Sequence, residues 1–413
     1  MLQGLIGIVG LIALAALLSE DRRRVSWRVI PAGLLVQAGV ALLLLKVPAA
    51  KTLFLLLDHA VDALQAATRA GTSFVFGYVG GGPAPWTMTD PGAGFVLAFQ
   101  ALPLVLVMSA LSALLYHWRI LPVVVRAASR LLERSLGVGG AVGISASATA
   151  FLGMIEAPLL IRPYLGQLSR GELFLVMSAG MSTIAGTVMV LYATFLDGVI
   201  PDPIGHLLTA SLISVPAAIM IGKIMVPDDS RTGAARLDDG HGYEGAMDAV
   251  VRGALDGVRL LVGICALLVV LVALVSLANA VLAVLPHPGG EALTLQRLMG
   301  WVMAPVAWMM GIPAAEMATA GALLGTKTVL NELLAYLQLS HLPPEALSLR
   351  SRLIMTYGLC GFANLGSLGI LIAGLSVMAP ERRREIVGLG GRSILAGTLA
   401  SCLTGAMVGL LIP

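Results

Sequence analysis

A chain segment that crosses about 30 Å of hydrocarbon must satisfy its own backbone polar groups, so long apolar runs constrain this sequence before any motif does. Eight such runs occur, at residues 5–18, 29–45, 94–116, 173–196, 206–225, 255–285, 353–378 and 386–412. The first is short and extends toward the start of the chain, and it reads as a first span, because no basic stretch precedes it as in a cleaved signal. Only 12% of the 413 residues are charged and 58% are hydrophobic, with a mean hydropathy of +0.92. A soluble domain carries about 25% charged residues, so the composition is that of an integral membrane protein. Aromatic residues are few (5%) and glycines many (48), which suits close helix packing through small side chains. Cys265, Cys360 and Cys402 lie in apolar stretches at no metal-ligand spacing, as small buried residues do.

Three apolar but interrupted regions are left over. Residues 51–70 carry Asp58, His59, Asp62, Gln65 and Arg69 among Leu and Ala, the pattern of a helix lying at the membrane surface. The other two are 136–168 and 298–339. Basic residues cluster at Arg22–Arg24, between Arg119 and Arg134, at Arg162 and Arg170, between Lys223 and Arg236, and at Arg382–Arg384. With the N-terminus outside, all of these fall on the cytoplasmic side only if 136–168 enters and leaves from that side. By the same parity 298–339 enters and leaves from outside. Charge placement therefore predicts an all-α integral membrane fold of eight transmembrane helices, two opposed re-entrant hairpins and an interfacial helix, arranged as an inverted repeat.

Each hairpin carries a glutamate, Glu156 and Glu332. A carboxylate at bilayer depth costs roughly 3 kcal/mol on insertion scales, so its presence calls for a use. The plainer reading makes both acids structural partners of a buried Arg or Lys, with Lys327 available to pair with a glutamate or Asn331. The sharper one is a carrier with its site between two repeats. The hairpin tips are placed at Leu152-Gly-Met-Ile155 and Gly325-Thr-Lys-Thr328, and each is followed by a span with a Gly-rich polar centre, Gly180-Met-Ser-Thr-Ile-Ala-Gly186 and Gly361-Phe-Ala-Asn-Leu-Gly-Ser367. Such centres look like broken helices, whose free backbone groups can face a ligand. The charged stretch 227–243 reads as a flexible cytoplasmic linker, and 77–91 as an external loop.

Taken together, Glu156-Ala-Pro-Leu-Leu-Ile-Arg-Pro-Tyr164, Leu324-Gly-Thr-Lys-Thr-Val-Leu-Asn-Glu332 with Ala335-Tyr336, and Cys360-Gly-Phe-Ala-Asn364 with Ser367 resemble the concentrative nucleoside transporter family. The resemblance runs from about residue 122 to the end of the chain. It implies an elevator-type, cation-driven importer of nucleosides, a homotrimer, in a bacterial inner membrane, with no organic cofactor and no nucleic-acid partner. It also implies N-terminal scaffold helices and the interfacial helix in 1–118, and a first repeat in 119–226 with its hairpin at 136–168 and broken helix at 173–196. The linker 227–243 follows, and 244–413 then holds a scaffold helix at 255–285, the second hairpin at 298–339, a broken helix at 353–378 and the last helix. Glu332, Asn364 and Ser367 would hold the ribose hydroxyls, with Asn331 beside them, and Phe362 and Val188 would pack on the base near Glu156.

Two departures from the family pattern bear on chemistry. Where the family's first tip offers Gln and Thr to the base edge, this chain has Met154 and Ile155, which offer no hydrogen bond, so looser base selection is expected. A Na⁺ site implied by the resemblance falls at Thr149, Leu152, Thr183 and Ile184, with a threonine at 149 where sodium-coupled members supply Asn. Protons, carried on Glu156 or Glu332, are therefore preferred over Na⁺ as the coupling ion. The rivals are a symporter for another hydroxylated metabolite and a gated channel or sensor on the same scaffold. An intramembrane enzyme is disfavoured, because no His-Glu-x-x-His or Gly-x-Ser-x-Gly motif is present.

Overall fold

The computed structural model describes residues 2–83, 85–86, 95–228, 230, 232–233, 243–285 and 292–412, and among these every regular element is helical. Asp229, Arg231 and 234–242 of the expected linker, residues 84 and 87–91 of the expected external loop, and the side chain of Asp58 lie outside what is described.

Among the described residues, six helical segments are long and apolar enough to cross a membrane: Val29–Lys46, Leu97–His117, Arg170–Leu196, Pro203–Met225, Ala246–Leu282 and Pro380–Leu411. They coincide with six of the eight apolar runs. The run at 5–18 forms the shorter helix α1 (Leu2–Leu17). The run at 353–378 is two helices, α16 (Leu349–Leu359) and α17 (Leu365–Met378), separated by an unwound Cys360–Asn364. Helix α2 (Val29–Lys46) leads into α3 (Pro48–Phe76), a 29-residue amphipathic helix where the surface helix was expected. Proline at its first position fixes the turn, because it lacks only an N–H that no helix bond would use.

The remaining helices fall into two sets of the same order. In the first, α4 (Leu97–Gln100) and α5 (Leu104–His117) precede the amphipathic α6 (Ile120–Leu136), α7 (Gly140–Ala148) and the one-turn α8 (Glu156–Leu159). The broken pair α9 (Arg170–Ser182) and α10 (Gly186–Leu196) and the long α11 (Pro203–Met225) complete it. In the second, α12 (Ala246–Leu282) is followed by α13 (Leu295–Met309), α14 (Met317–Val329) and α15 (Glu332–His341), then by the broken pair α16 and α17 and the long α18 (Arg383–Leu411). Helices α9, α11 and α18 are buried along most of their lengths. In contrast, α12 buries only Ala249, Gly253, Gly257 and Val275. Gly253 and Gly257 press on α5, where an added Cβ would lie 2.7 Å from Ser109 O and 2.8 Å from Leu106 Cα, respectively.

The second hairpin differs from expectation at two points. Region 298–339 holds most of α13 as well as α14 and α15, so it is three helices and not two. Its break lies at Leu330–Asn331, and the expected tip Gly325–Thr328 is inside α14. Gly325 serves packing there: a Cβ would sit 2.9 Å from Gln296 O of α13. α14 ends at Val329, and the next helix starts at Asn331, whose Oδ1 accepts the Leu334 N–H at 3.0 Å and so caps α15.

Candidate functional site

Three unwound stretches meet at the centre of the molecule. Residues 149–155 connect α7 to α8, Thr183–Ala185 interrupt α9 and α10, and Cys360–Asn364 interrupt α16 and α17. Their freed backbone groups bond to each other: Gly186 N–H donates to Phe151 O at 2.9 Å, and Phe362 N–H donates to Thr183 O at 3.2 Å. The Ser211 hydroxyl of α11 donates to Ala150 O at 3.3 Å. Close approach requires glycine at two of these meetings. A Cβ on Gly180 would stand 3.0 Å from Met154 Cβ, and one on Gly361 3.0 Å from Met181 O.

A cavity of about 150 Å³ opens at this junction, and all nine expected substrate residues line it: Met154, Ile155, Glu156, Val188, Asn331, Glu332, Phe362, Asn364 and Ser367. One end is polar. Tyr192 hydroxyl donates to Glu332 Oε1 at 2.8 Å, and Asn364 Nδ2 donates to Glu332 Oε2 at 2.9 Å. Asn364 Oδ1 accepts the Ser367 N–H at 2.8 Å and caps α17, so one side chain orients the carboxylate and starts the helix. This closed network satisfies a carboxylate that is only 4% exposed. An ionised carboxylate has about four acceptor positions, so two remain for hydroxyls of a ligand. The other end is apolar, formed by Met154, Ile155, Val188 and Phe362, and Leu260, Ile264, Leu267 and Leu271 of α12 close the wall.

Glu156 lies deep among the helices, yet its side chain is open to the cavity, beside Gly153, where any Cβ would collide with its Oε2. It faces both the main cavity and an adjoining space of about 110 Å³ lined by Ser109, Ser112, Tyr116 and Asp256. The two glutamates therefore share one cavity, one held inside a network and one open.

The four residues expected at an ion site do not line the main cavity. Leu152 borders the adjoining space, while Thr149, Thr183 and Ile184 are buried. Thr149 Oγ1 donates to Ala146 O at 2.7 Å and Thr183 Oγ1 to Ala179 O at 3.0 Å, each to its own helix. Their oxygens keep lone pairs for a hard cation. Among the described residues no group of His, Cys, Asp or Glu is arranged to hold a metal ion. Lys327 pairs with neither a glutamate nor Asn331 through a hydrogen bond: its Nζ donates to Gly358 O and Ser401 Oγ, both at 2.9 Å, tying α14 to α16 and α18.

Two residues escaped the sequence reading. Tyr192 follows Val188 by one helical turn and so shares its face, a usable signal. Ser211 lies in a buried small-residue stretch of α11 and carried none.

Comparison with known proteins matches the chain to three family models: "Na+ dependent nucleoside transporter N-terminus" over residues 6–79, "Nucleoside recognition" over 98–198 and "Na+ dependent nucleoside transporter C-terminus" over 206–409. It is 35% identical to the uncharacterized transporter YutK of Bacillus subtilis, across 100% of this chain and 99% of that one. Identity to the nucleoside permease NupC of Helicobacter pylori is 32%, across 100% and 98%. The solved structure of CNTnw in an inward-facing substrate-bound state superposes with a TM-score of 0.88 at 34% identity, covering 99% of this chain and 97% of that one. With similarity running the whole length and the motifs assembled at one cavity, the chain belongs to the concentrative nucleoside transporter family, a family of membrane transporters and not of enzymes.

Proposed function

We propose that this protein is a cation-coupled symporter that moves nucleosides inward across a bacterial inner membrane. The observation that carries the reading is the Glu332 carboxylate, fixed by Tyr192 and Asn364 at the polar end of a cavity whose opposite end is apolar. A nucleoside has the same polarity, with vicinal hydroxyls at one end and a flat base at the other. Glu332, with Asn364, Ser367 and Asn331 around it, receives the ribose hydroxyls through charge-assisted hydrogen bonds. Phe362 and Val188 pack against the base. Because Met154 and Ile155 offer no polar edge, the base is selected by shape and apolar contact, and larger purines gain most. Strict pyrimidine selectivity in a transport panel would sink this part of the reading.

The topology that goes with this function has eight crossings, with α7–α8 and α14–α15 inserted from opposite faces as inverted repeats. The unit carrying the cavity moves past scaffold helices as an elevator, within a homotrimer. The related structures and the repeated element order support that arrangement. Protons are preferred over Na⁺ as the coupling ion. Glu156 stands open to the cavity where a proton can reach it, whereas the hydroxyls of Thr149 and Thr183 donate within their own helices. Proteoliposomes given a pH step without sodium should accumulate a labelled purine nucleoside above the external concentration. Accumulation only under a sodium gradient would reassign the ion, and equilibration without accumulation would make the protein a channel.

A further inference from the structure

We infer that a basic cavity at the cytoplasmic end of α2, α6 and α11 is a binding site for the phosphate headgroup of an anionic phospholipid. The cavity holds about 440 Å³ and shares no lining residue with the cavity around Glu332. Arg24, Arg28, Val29 and Ala32 reach it from the approach to α2 and its first turn, Glu133 and Arg134 from α6, Lys223 from α11, and Asp228 and Ser230 from the stretch that follows.

Four cations thus face two carboxylates, and three of these six groups are already engaged. Glu133 Oε1 accepts the Ser129 hydroxyl at 2.6 Å. Asp228 accepts the N–H groups of Gly171 at 3.1 Å and Ser230 at 2.9 Å. Lys223 Nζ donates to Leu136 O at 2.8 Å and Gly137 O at 3.0 Å. The guanidinium groups of Arg24, Arg28 and Arg134 are left, exposed and with no side-chain partner among the described residues. A planar fork of N–H donors matches two oxygens of a phosphate, and three such forks line one space whose two described carboxylates, Glu133 and Asp228, already accept other donors.

The lipid is favoured over a free anion by the cavity's depth. Its floor is Val29 and Ala32, the first turn of a membrane-crossing helix, so the site lies at headgroup level. Trp27 beside it is 55% exposed, as an interfacial anchor is, and Leu35 further along the same helix is 73% exposed and available to an acyl chain. Basic residues on this face also set membrane orientation, but orientation needs only their side, not their convergence from segments a hundred residues apart. Arg383 and Arg384 supply the contrast, since they are exposed basic residues of a cytoplasmic cluster that do not line the cavity.

The test is thermal unfolding of the purified full-length protein in detergent with phosphatidylglycerol, phosphatidylcholine or inorganic phosphate added. Phosphatidylglycerol should raise Tm by at least about 3 °C over phosphatidylcholine, by mass action on the folded state, and inorganic phosphate should give no shift. The shift should vanish in Arg24→Gln/Arg28→Gln/Arg134→Gln and persist in Arg383→Gln/Arg384→Gln. Equal shifts with both lipids, or a shift retained in the triple variant, would overturn the site. An equal shift from inorganic phosphate would reassign it to a soluble anion and overturn the lipid. Should the triple variant give no cooperative transition, native mass spectrometry of Arg134→Gln decides instead: loss of a phosphatidylglycerol adduct that wild type retains supports the site, and undiminished retention overturns it. None of these readouts depends on transport.

Discussion

The two halves of the molecule run through the same order of helices and each starts a helix with a cavity-lining glutamate, Glu156 or Glu332, but the residues just before it and the partners around it differ. In the second half the break between α14 and α15 presents Asn331 and Glu332, both polar and both engaged as caps or acceptors. In the first half the turn before α8 presents Met154 and Ile155, which pack on neighbouring helices. Met154 lies against Gly180 of α9, and Ile155 fills the space left by Gly374 of α17. A buried polar group is stable only when every partner is supplied, so polarity is concentrated where a closed network can form. The lesson is a division of labour: one half holds its carboxylate in a hydrogen-bond network, and the other sets an open carboxylate beside an apolar wall.

Removing the fixed charge should break this comparison most severely. Glu332→Gln loses charge-assisted bonds worth about 1.5–3 kcal/mol each, so nucleoside affinity should fall on the order of 100-fold or more in calorimetric titration. An affinity within threefold of wild type would remove Glu332 from recognition. Asn364→Ala should weaken binding less, roughly tenfold, while also lowering Tm, because the cap of α17 contributes about 1 kcal/mol. Loss of binding with unchanged stability would contradict its double role.

Met154→Gln sharpens the comparison from the other side. Giving the first half a polar tip should leave the ribose-dependent part of affinity within about threefold, yet spread the affinities for different bases by up to tenfold, since an unmatched amide penalises the wrong base edge. A uniform loss across all bases would place Met154 in packing alone.

The smallest effect concerns the seam between the halves. Glu20 bridges Arg170 of the first at 2.7 Å and Arg392 of the second at 2.6 Å. The hydrogen bond from Arg170 holds the Glu20 carboxyl below its usual range. A carboxylate whose folded pKa is lowered contributes stability above its unfolded pKa, and that contribution disappears as pH falls through the lowered folded value. Glu20→Ala should therefore cost no more than about 1 kcal/mol near neutrality and nothing in strong acid. A Tm difference from wild type that grows on acidification would refute the sign.

Much of the site was legible because its signals are local. Glu156 and Glu332 stood out against apolar surroundings, and glycine with Ser, Thr or Asn in mid-span marked both broken helices. The misplaced second tip shows the limit. Gly325 looked like a bend, yet it serves contact with α13, and the next helix starts at the Asn331 cap, which local pattern cannot rank above a glycine. That Glu156 opens to two adjoining cavities was not legible, because it depends on the spaces that surrounding helices leave beside it.

By itself, the sequence determined the membrane class, the apolar runs, the interrupted regions and the placement of acids and bases along them. These depend on hydropathy and spacing, which act over one helix at a time. Only the tertiary structure decided that Tyr192 and Asn364 hold opposite oxygens of Glu332, although 140 and 32 residues separate them from it. It also decided that Ser211 joins two unwound stretches and that three distant arginines surround one cavity. The physical reason is that pairing across such distances follows from how broken helices satisfy their free backbone groups when packed together, and no short stretch of residues encodes that partner.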